Sequence, residues 1–302
     1  MRVFVTGATG FIGSAVVREL IAAGHQVLGL ARSDAGASAL LAAGAQVHRG
    51  DIEDLDSLRR GVGLADGVIH TAFNHDFSKF AANCAADGKA IEAMGTALAG
   101  SERPLIVTTG TALIAPGLLA TEGMPHPART EAYPRVSEEV VMAVGATGVR
   151  ACAVRLPPSV HGGGDHGFVP LLIDIARAKG VSAYVGDGLN RWPAVNRLDA
   201  ACLFRLALER GAKATSYHGV AEEGVRFKDI AAVIGRHLGL PVVSKSPDEA
   251  ADHFGWFAGF ASLDAPASSQ RTREQLGWVP TGPGLMEDLD GPGYFAEGEQ
   301  VG

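Results

Sequence analysis

Three glycines at Gly7, Gly10 and Gly13 sit inside Thr6-Gly7-Ala8-Thr9-Gly10-Phe11-Ile12-Gly13, directly after the apolar run Val3-Phe4-Val5 and directly before a helical pattern. Gly7 and Gly10 allow a tight turn and close approach of a pyrophosphate, and Gly13 lets the helix lie close to the strand. The helix start then offers unpaired N–H groups and positive dipole to phosphates. Gly7, Thr9, Gly10, Phe11, Ile12 and Gly13 are therefore expected to hold a dinucleotide. A second group, His161, Asp165 and His166, flanks Gly162-Gly163-Gly164. Two imidazoles and a carboxylate are chemically able to bind a metal. The spacing suits a substrate-lining loop better, so no metal is expected, and His161 is a candidate proton donor.

The elements that would position these groups follow from periodicity. Ile12, Val16 and Leu20 repeat at helical spacing, and Val27 to Leu30 is a second apolar run. Helical patterns at Ala37 to Ala43, Leu55 to Gly61 and Ala81 to Leu98 alternate with strand-like Ala45 to His48, Val68 to His70 and Leu105 to Thr108. A helix from about Ser137 to Ala146 leads into Ala151 to Arg155. Continuous apolar runs separated by helices predict an α/β fold, a doubly wound parallel sheet of Rossmann type covered on both faces. From about residue 156 the texture changes. Helical patterns at Val169 to Lys179, Asp199 to Arg210 and Phe227 to Leu238 enclose short strand-like pieces at Tyr184-Val185 and Val242-Val243. Residues 1–160 are read as a nucleotide-binding domain, and 161–302 as a smaller, interleaved α/β substrate domain. The last twenty residues, rich in Gly, Pro and acids, read as a surface tail.

Composition narrows the function. Of 302 residues, 47% are apolar and 20% charged, which supplies a core and argues against disorder. The 40 glycines are nearly twice the usual ~7% share and point to many tight turns. A formal net charge of −7 disfavours nucleic acid and anionic membranes as partners. Cys84, Cys152 and Cys202 form no CxxC pair, so neither a disulfide framework nor a cysteine zinc site is expected. With no signal-peptide pattern and no long apolar span, the expected location is the cytoplasm.

The N-terminal TGATGFIG, with His70-Thr71-Ala72 after the fourth strand, resembles the extended and atypical short-chain dehydrogenases/reductases of the epimerase/dehydratase superfamily. The likeness continues through Gly50-Asp51-Ile52, Arg155-Leu156-Pro157-Pro158-Ser159-Val160-His161-Gly162 and Asn196-Arg197-Leu198-Asp199-Ala200-Ala201. It implies that Asp51 and Ile52 border an adenine. It also places Thr71, Ala72 and Phe73 along the inner ribose and nicotinamide, with Leu156, Pro157 and Val160 flanking the nicotinamide. An NAD enzyme carries an acid at the end of its second strand for the ribose 2′-OH. Here Leu30-Ala31 is followed by Arg32-Ser33. A guanidinium grips a 2′-phosphate, so NADP is expected over NAD. Asp34 would serve NAD only if the strand ran longer.

The resemblance also implies a YxxxK pair with an upstream Ser or Thr and an Asn. A nearby cation lowers the Tyr pKa while a hydroxyl polarises the substrate carbonyl. No YxxxK occurs: Tyr133 is followed four positions on by Ser137. Two registers compete. One puts Pro134 in the Tyr slot and Glu138 in the Lys slot, and the other puts Glu131 and Arg135 there. Tyr133 lies within two residues of both Tyr slots, and Arg135 would supply a permanent charge, leaving Tyr133 and Arg135 as catalytic candidates. A strict count puts Gly110 in the Ser slot, with Thr109 and Thr111 as neighbours able to take over. The Asn slot falls near Asn83, and Asp87, one turn on, is the stronger candidate. Arg191 and Trp192 resemble a segment that closes over the cleft, Arg191 as an anion anchor and Trp192 as an apolar wall. The resulting expectation is an NADPH-dependent reductase of a small ketone or aldehyde, a homodimer on the family pattern. A non-catalytic NADP-binding sensor or scaffold is the second reading, and a nucleotide-sugar epimerase or dehydratase the third.

Overall fold

The first strand, β1 (Arg2–Thr6), buries four of its five residues, as a strand covered on both faces must. From it the chain alternates through α1 (Phe11–Ala22), β2 (Gln26–Ala31), α2 (Asp34–Ala42), β3 (Gln46–Arg49), α3 (Leu55–Gly63) and β4 (Gly67–His70). It continues through α4 (Phe80–Leu98), β5 (Pro104–Gly110), α5 (Ser137–Ala146) and β6 (Arg150–Leu156). This computed structural model describes residues 1–131 and 133–295, the side chain of Phe77 excepted.

Beyond β6 come β7 (Ser159–His161), α6 (Phe168–Lys179), β8 (Ser182–Val185), β9 (Arg191–Asn196), α7 (Arg197–Arg210) and β10 (Thr215–His218). Then follow β11 (Glu222–Arg226), α8 (Phe227–Leu238), β12 (Val242–Lys245), α9 (Pro247–Phe254), α10 (Ala258–Ala261), α11 (Gln270–Leu276) and α12 (Leu285–Asp290). The main sheet runs β3-β2-β1-β4-β5-β6-β10, parallel throughout. The predicted doubly wound α/β fold is thus the one observed. Its strand order reverses at β1, and the crevice outside the ends of β1 and β4 is where such sheets bind ligands.

One apolar core packs α1 and α7 on the sheet, with Val16, Leu20, Phe204 and Trp278 at its centre. The other packs α3, α4 and α5 through Leu58, Ile91, Met94 and Val141. A third core, around Trp192, Phe227, Phe254 and Phe257, belongs to a smaller lobe built on the β7-β9-β11 and β8-β12 sheets. The chain past residue 161 serves both parts, because α7 and β10 return to the main sheet.

The expected surface tail is corrected as far as residue 295. Leu285 and Leu289 on α12 are fully buried in the third core, and Asp288 and Tyr294 bond to the His161–Asp165 loop. Its Gly and Pro residues mark turns around a short packed helix; residues 296–302 lie outside the described part. Among the described residues no helix is long and apolar enough to cross a membrane.

Candidate active site

The Gly-rich turn is closed by Gly10 N–H donating to the Gly7 carbonyl at 2.9 Å. Gly7 has φ +65°, and a Cβ there would stand 2.6 Å from the Ala72 nitrogen. A Cβ on Gly13 would collide with the Gly7 carbonyl oxygen. Gly10 caps α1 with no side-chain bond, and the first helical bond runs from Ser14 N–H to the Gly10 carbonyl at 2.9 Å. The amides of Phe11, Ile12 and Gly13 therefore have no acceptor among the described residues. Three free donors at a helix start, with no acid in its first turn, fit a pyrophosphate. Thr9 is exposed at the tip of the turn, and Ile12 packs on the α1 core.

Next to this turn, β2 ends at Ala31 and the following residue is Arg32. The Arg32 side chain is 74% exposed, with Nε 3.7 Å from Asp51 Oδ2. Ser33 is the N-cap of α2, its Oγ accepting from Gly36 N–H at 3.1 Å. Asp34 is already inside α2 and pairs with Arg49, so the longer strand that an NAD reading needed does not form. Ile52 is half-buried against the second core.

The ends of β4, α4 and α5 meet in a buried polar chain. Asp87 on α4 is 1% exposed. Its carboxylate can only accept, so His70 Nε2–H donates to Oδ1 at 2.9 Å and the Ser137 hydroxyl donates to Oδ2. With Nε2 protonated, His70 Nδ1 accepts from the Thr6 hydroxyl at 2.7 Å. Ser137 Oγ in turn accepts from Arg135 Nε at 3.1 Å. The Arg135 guanidinium lies 4.1 Å from the centre of the Phe73 ring. Burial alone would raise the Asp87 carboxyl, but the His70 bond, Arg135 and Ser137 together hold it below the usual carboxylate range.

Tyr133 is half-buried two residues before Arg135, stacked on His126 at 6.0 Å. Its hydroxyl makes no hydrogen bond to a described residue. Burial pushes the phenol up and the Arg135 charge works the other way. Around them, Thr71 Oγ1 donates to the Thr6 carbonyl at 2.8 Å and Ala72 backs Gly7. Asn83 ties the 74–76 loop through the carbonyls of Asn74 and Asp76.

Other candidates are placed elsewhere. Thr109 donates to Glu138 Oε2 at 3.0 Å, which commits its proton to a second buried network. Thr111 is buried with Oγ1 3.5 Å from the Leu156 carbonyl. Leu156 and Pro157 are buried and Val160 half-buried where β6 gives way to β7.

Trp192 is corrected from a cleft wall to a core residue. It is fully buried among Phe168, Phe227 and Phe257, and its Nε1–H donates to the Phe260 carbonyl at 3.2 Å. Arg191 is likewise no free anion anchor, since Asp264 takes its Nε and Nη2 at 2.9 and 2.8 Å. His161 has no exposed surface; Nδ1 meets Asp288 Oδ2 at 2.6 Å, and Nε2 is buried without a partner among the described residues.

The second network went unread in the sequence. Arg155 on β6 and Glu138 on α5 form a buried ion pair, with Arg155 Nε 3.0 Å from both carboxylate oxygens. Arg155 Nη1–H donates to His218 Nε2 at 3.1 Å, so His218 carries its proton on Nδ1 and donates to the Ser268 carbonyl at 2.7 Å. Burial and the Arg155 charge lower the His218 pKa to about 4, keeping the ring neutral. Burial would raise Glu138, but Arg155, His126 and Ser216 hold it low. Glu138 in the Lys slot is therefore structural, whereas Arg135 is the cation beside Asp87. The signal was a lone charge closing the buried run Ala151-Cys152-Ala153-Val154-Arg155. A cavity of about 720 Å³ opens behind this network, lined by Met124, His126, Arg129 and Met142; no residue of the Gly-rich turn lines it.

Parallel sheet, Gly-rich turn and polar chain together define an α/β protein of short-chain dehydrogenase/reductase type. Residues 3–218 match the NAD dependent epimerase/dehydratase family, and the chain belongs to that family. It is 52% identical over 299 residues to an uncharacterized protein, C2A9.02, of Schizosaccharomyces pombe, covering 98% of this chain and all of that one. It is 29% identical over 263 residues to a 2-alkyl-3-oxoalkanoate reductase of Stenotrophomonas maltophilia, covering 82% and 78% of the two chains. A solved dTDP-glucose 4,6-dehydratase of Streptomyces venezuelae, with NAD and TYD bound, shares the fold. Its TM-score is 0.76 at 21% identity, over 96% of this chain and 95% of that one.

Proposed function

We propose that this chain is an NADPH-dependent reductase of small ketones or aldehydes, with Tyr133 and Arg135 in place of the usual Tyr–Lys pair. The observation that carries the proposal is Arg135, laid on Phe73, fixed through Ser137 to an ionised Asp87, and two residues from a phenol whose hydroxyl has no hydrogen-bond partner among the described residues. The relative named as a 2-alkyl-3-oxoalkanoate reductase supports carbonyl reduction.

When bound, NADPH supplies a hydride for the carbonyl carbon. The amides of Phe11, Ile12 and Gly13 hold its phosphates, and Arg32 and Ser33 take the 2′-phosphate. The Arg32–Asp51 contact is exposed and worth about 0–1 kcal/mol, so an incoming dianion displaces it readily. Thr71, Ala72 and Phe73 line the cleft, and the smaller lobe covers the substrate. Tyr133 donates its proton to the carbonyl oxygen, and Arg135 stabilises the negative charge that develops there and on the phenolate. Arg135 stays protonated throughout, so it acts by charge alone.

The test is calorimetric titration with NADPH and NADH, then NADPH oxidation against a panel of aldehydes and ketones. Tight NADPH binding with turnover of at least one carbonyl is the expected result. Tight binding with no turnover across the panel would make the chain a cofactor sensor, the reading that the missing YxxxK favours. Failure to bind either nucleotide would remove the cofactor assignment.

A further inference from the structure

Against the ring of Phe11, whose own amide begins α1, a cation arrives from the other half of the chain. Arg197 is the first residue of α7, and its guanidinium lies 5.0 Å from the centre of the Phe11 ring. The 162–167 loop wraps its stem: a Cβ on Gly162 would stand 3.4 Å from Arg197 Cγ, and one on Gly164 would stand 3.8 Å from Nη1. Tyr294 fastens this loop, its hydroxyl accepting from Gly162 N–H at 3.2 Å and donating to Asp165 Oδ2 at 2.8 Å. His166 meets Phe11 edge-on at 5.6 Å.

Arg197 has no carboxylate within ion-pair distance among the described residues. Burial and the charge of Arg18 both work against its own charge, and Asp165 only partly offsets them. Asp165 is itself occupied by Gly167 N–H at 2.7 Å and by Tyr294, and burial pushes its carboxyl up. Neither the half-buried Arg197 guanidinium, with its five donors, nor the amides of Phe11, Ile12 and Gly13 have an acceptor among the described residues. An anion with several oxygens satisfies both sets at once.

We propose that Arg197 is the second half of the pyrophosphate site, reaching over Phe11 to bind the phosphates that the α1 amides hold from below. The inference rests on the dinucleotide reading of the Gly-rich turn and adds a residue from outside the sequence motif. It makes α7 and the 162–167 loop part of the cofactor clamp.

The experiment compares the wild type, Arg197→Gln and Arg197→Lys by calorimetric titration with NADPH, ADP-ribose and adenosine 2′-monophosphate. The first two ligands carry a pyrophosphate; the third carries only the 2′-phosphate. Arg197→Gln is expected to weaken NADPH and ADP-ribose by about 10- to 100-fold, the range of one charge-assisted hydrogen bond. Adenosine 2′-monophosphate should bind within about twofold of wild type, and Lys should restore part of the loss. Gln keeps most of the stem against Phe11, and an unchanged melting temperature without ligand confirms the fold. Undiminished NADPH binding by Arg197→Gln, or equal loss on all three ligands, would overturn the role of Arg197 alone. A wild type that binds none of the three would overturn the dinucleotide reading and this inference with it.

Discussion

Replacing Asp87 by Asn should cost much more than its near-identical shape suggests. The carboxylate receives His70 Nε2–H at 2.9 Å and the Ser137 hydroxyl, both out of reach of water. An amide offers one acceptor oxygen, so one of those donors must face an NH₂ group. A hydrogen bond to a charged group is worth about 1.5–3 kcal/mol, and stranding a buried donor costs about 1–3 kcal/mol. The net loss is about 2–5 kcal/mol, or roughly 3–8 °C in melting temperature for a chain of this size. The pH dependence separates this mechanism from general loosening. The folded-state pKa of Asp87 lies below its unfolded value of about 3.9, so the unfolded chain binds the proton first. Its stabilisation is complete above about pH 5 and is lost as the pH falls through the unfolded and then the folded pKa. The amide of the variant does not titrate in this range. Melting curves from pH 8 down to pH 3.5 should show a wide gap between wild type and Asp87→Asn at neutrality that narrows in acid. A gap of constant width, or a variant as stable as wild type at pH 7, would refute an ionised Asp87 at the hub.

Tyr133→Phe should lower turnover by about 10²- to 10⁴-fold, the usual loss for one general acid, and leave NADPH affinity within about twofold. Unchanged turnover would return Tyr133 to a loop aromatic stacked on His126. Arg32→Ala should weaken NADPH by about 10- to 100-fold and NADH far less, read by titration. Equal losses would end the 2′-phosphate assignment. Glu138→Gln should destabilise the fold by about 3–5 kcal/mol, because it strands the buried charge of Arg155. An unshifted urea midpoint would mean that Thr109, Ser216 and His218 hold the region without the ion pair.

The fold was legible because its signals are local. Val3 to Val5, Leu105 to Thr108 and Ala151 to Arg155 are continuous apolar runs, and only a strand buried on both faces calls for that pattern. The glycine spacing at 7, 10 and 13 could be read for the same reason. Each acts through backbone within one turn of its own position. The smaller lobe was harder. Arg191-Trp192 looked like a cleft segment because an exposed aromatic and a buried one have the same letter. What decides between them is the Phe168, Phe227 and Phe257 cage, assembled from residues up to 65 positions away. The packing of α12 was hidden likewise, since its Leu285 and Leu289 find partners on α8 only after the chain has folded.

The polar chain sets a cation before α5 although the sequence has no YxxxK. In that motif one helix presents both proton donor and cation, four residues apart. In this chain position 137 carries Ser, whose hydroxyl bridges Arg135 to Asp87. The cation moves two residues toward the N-terminus, off the helix and into the segment before α5, where Phe73 supports its flat face. Such a shift needs a fixed negative charge to aim the guanidinium, and α4 supplies it one turn beyond Asn83, with His70 as its second donor. Asp87, Ser137, Arg135 and His70 thus depend on one another, although no two of them form a recognisable pair in sequence. Any one alone would be a buried polar group or a loop charge. Joined across β4, α4 and α5, they fix a permanent positive charge on the face of Phe73, two residues along the chain from Tyr133.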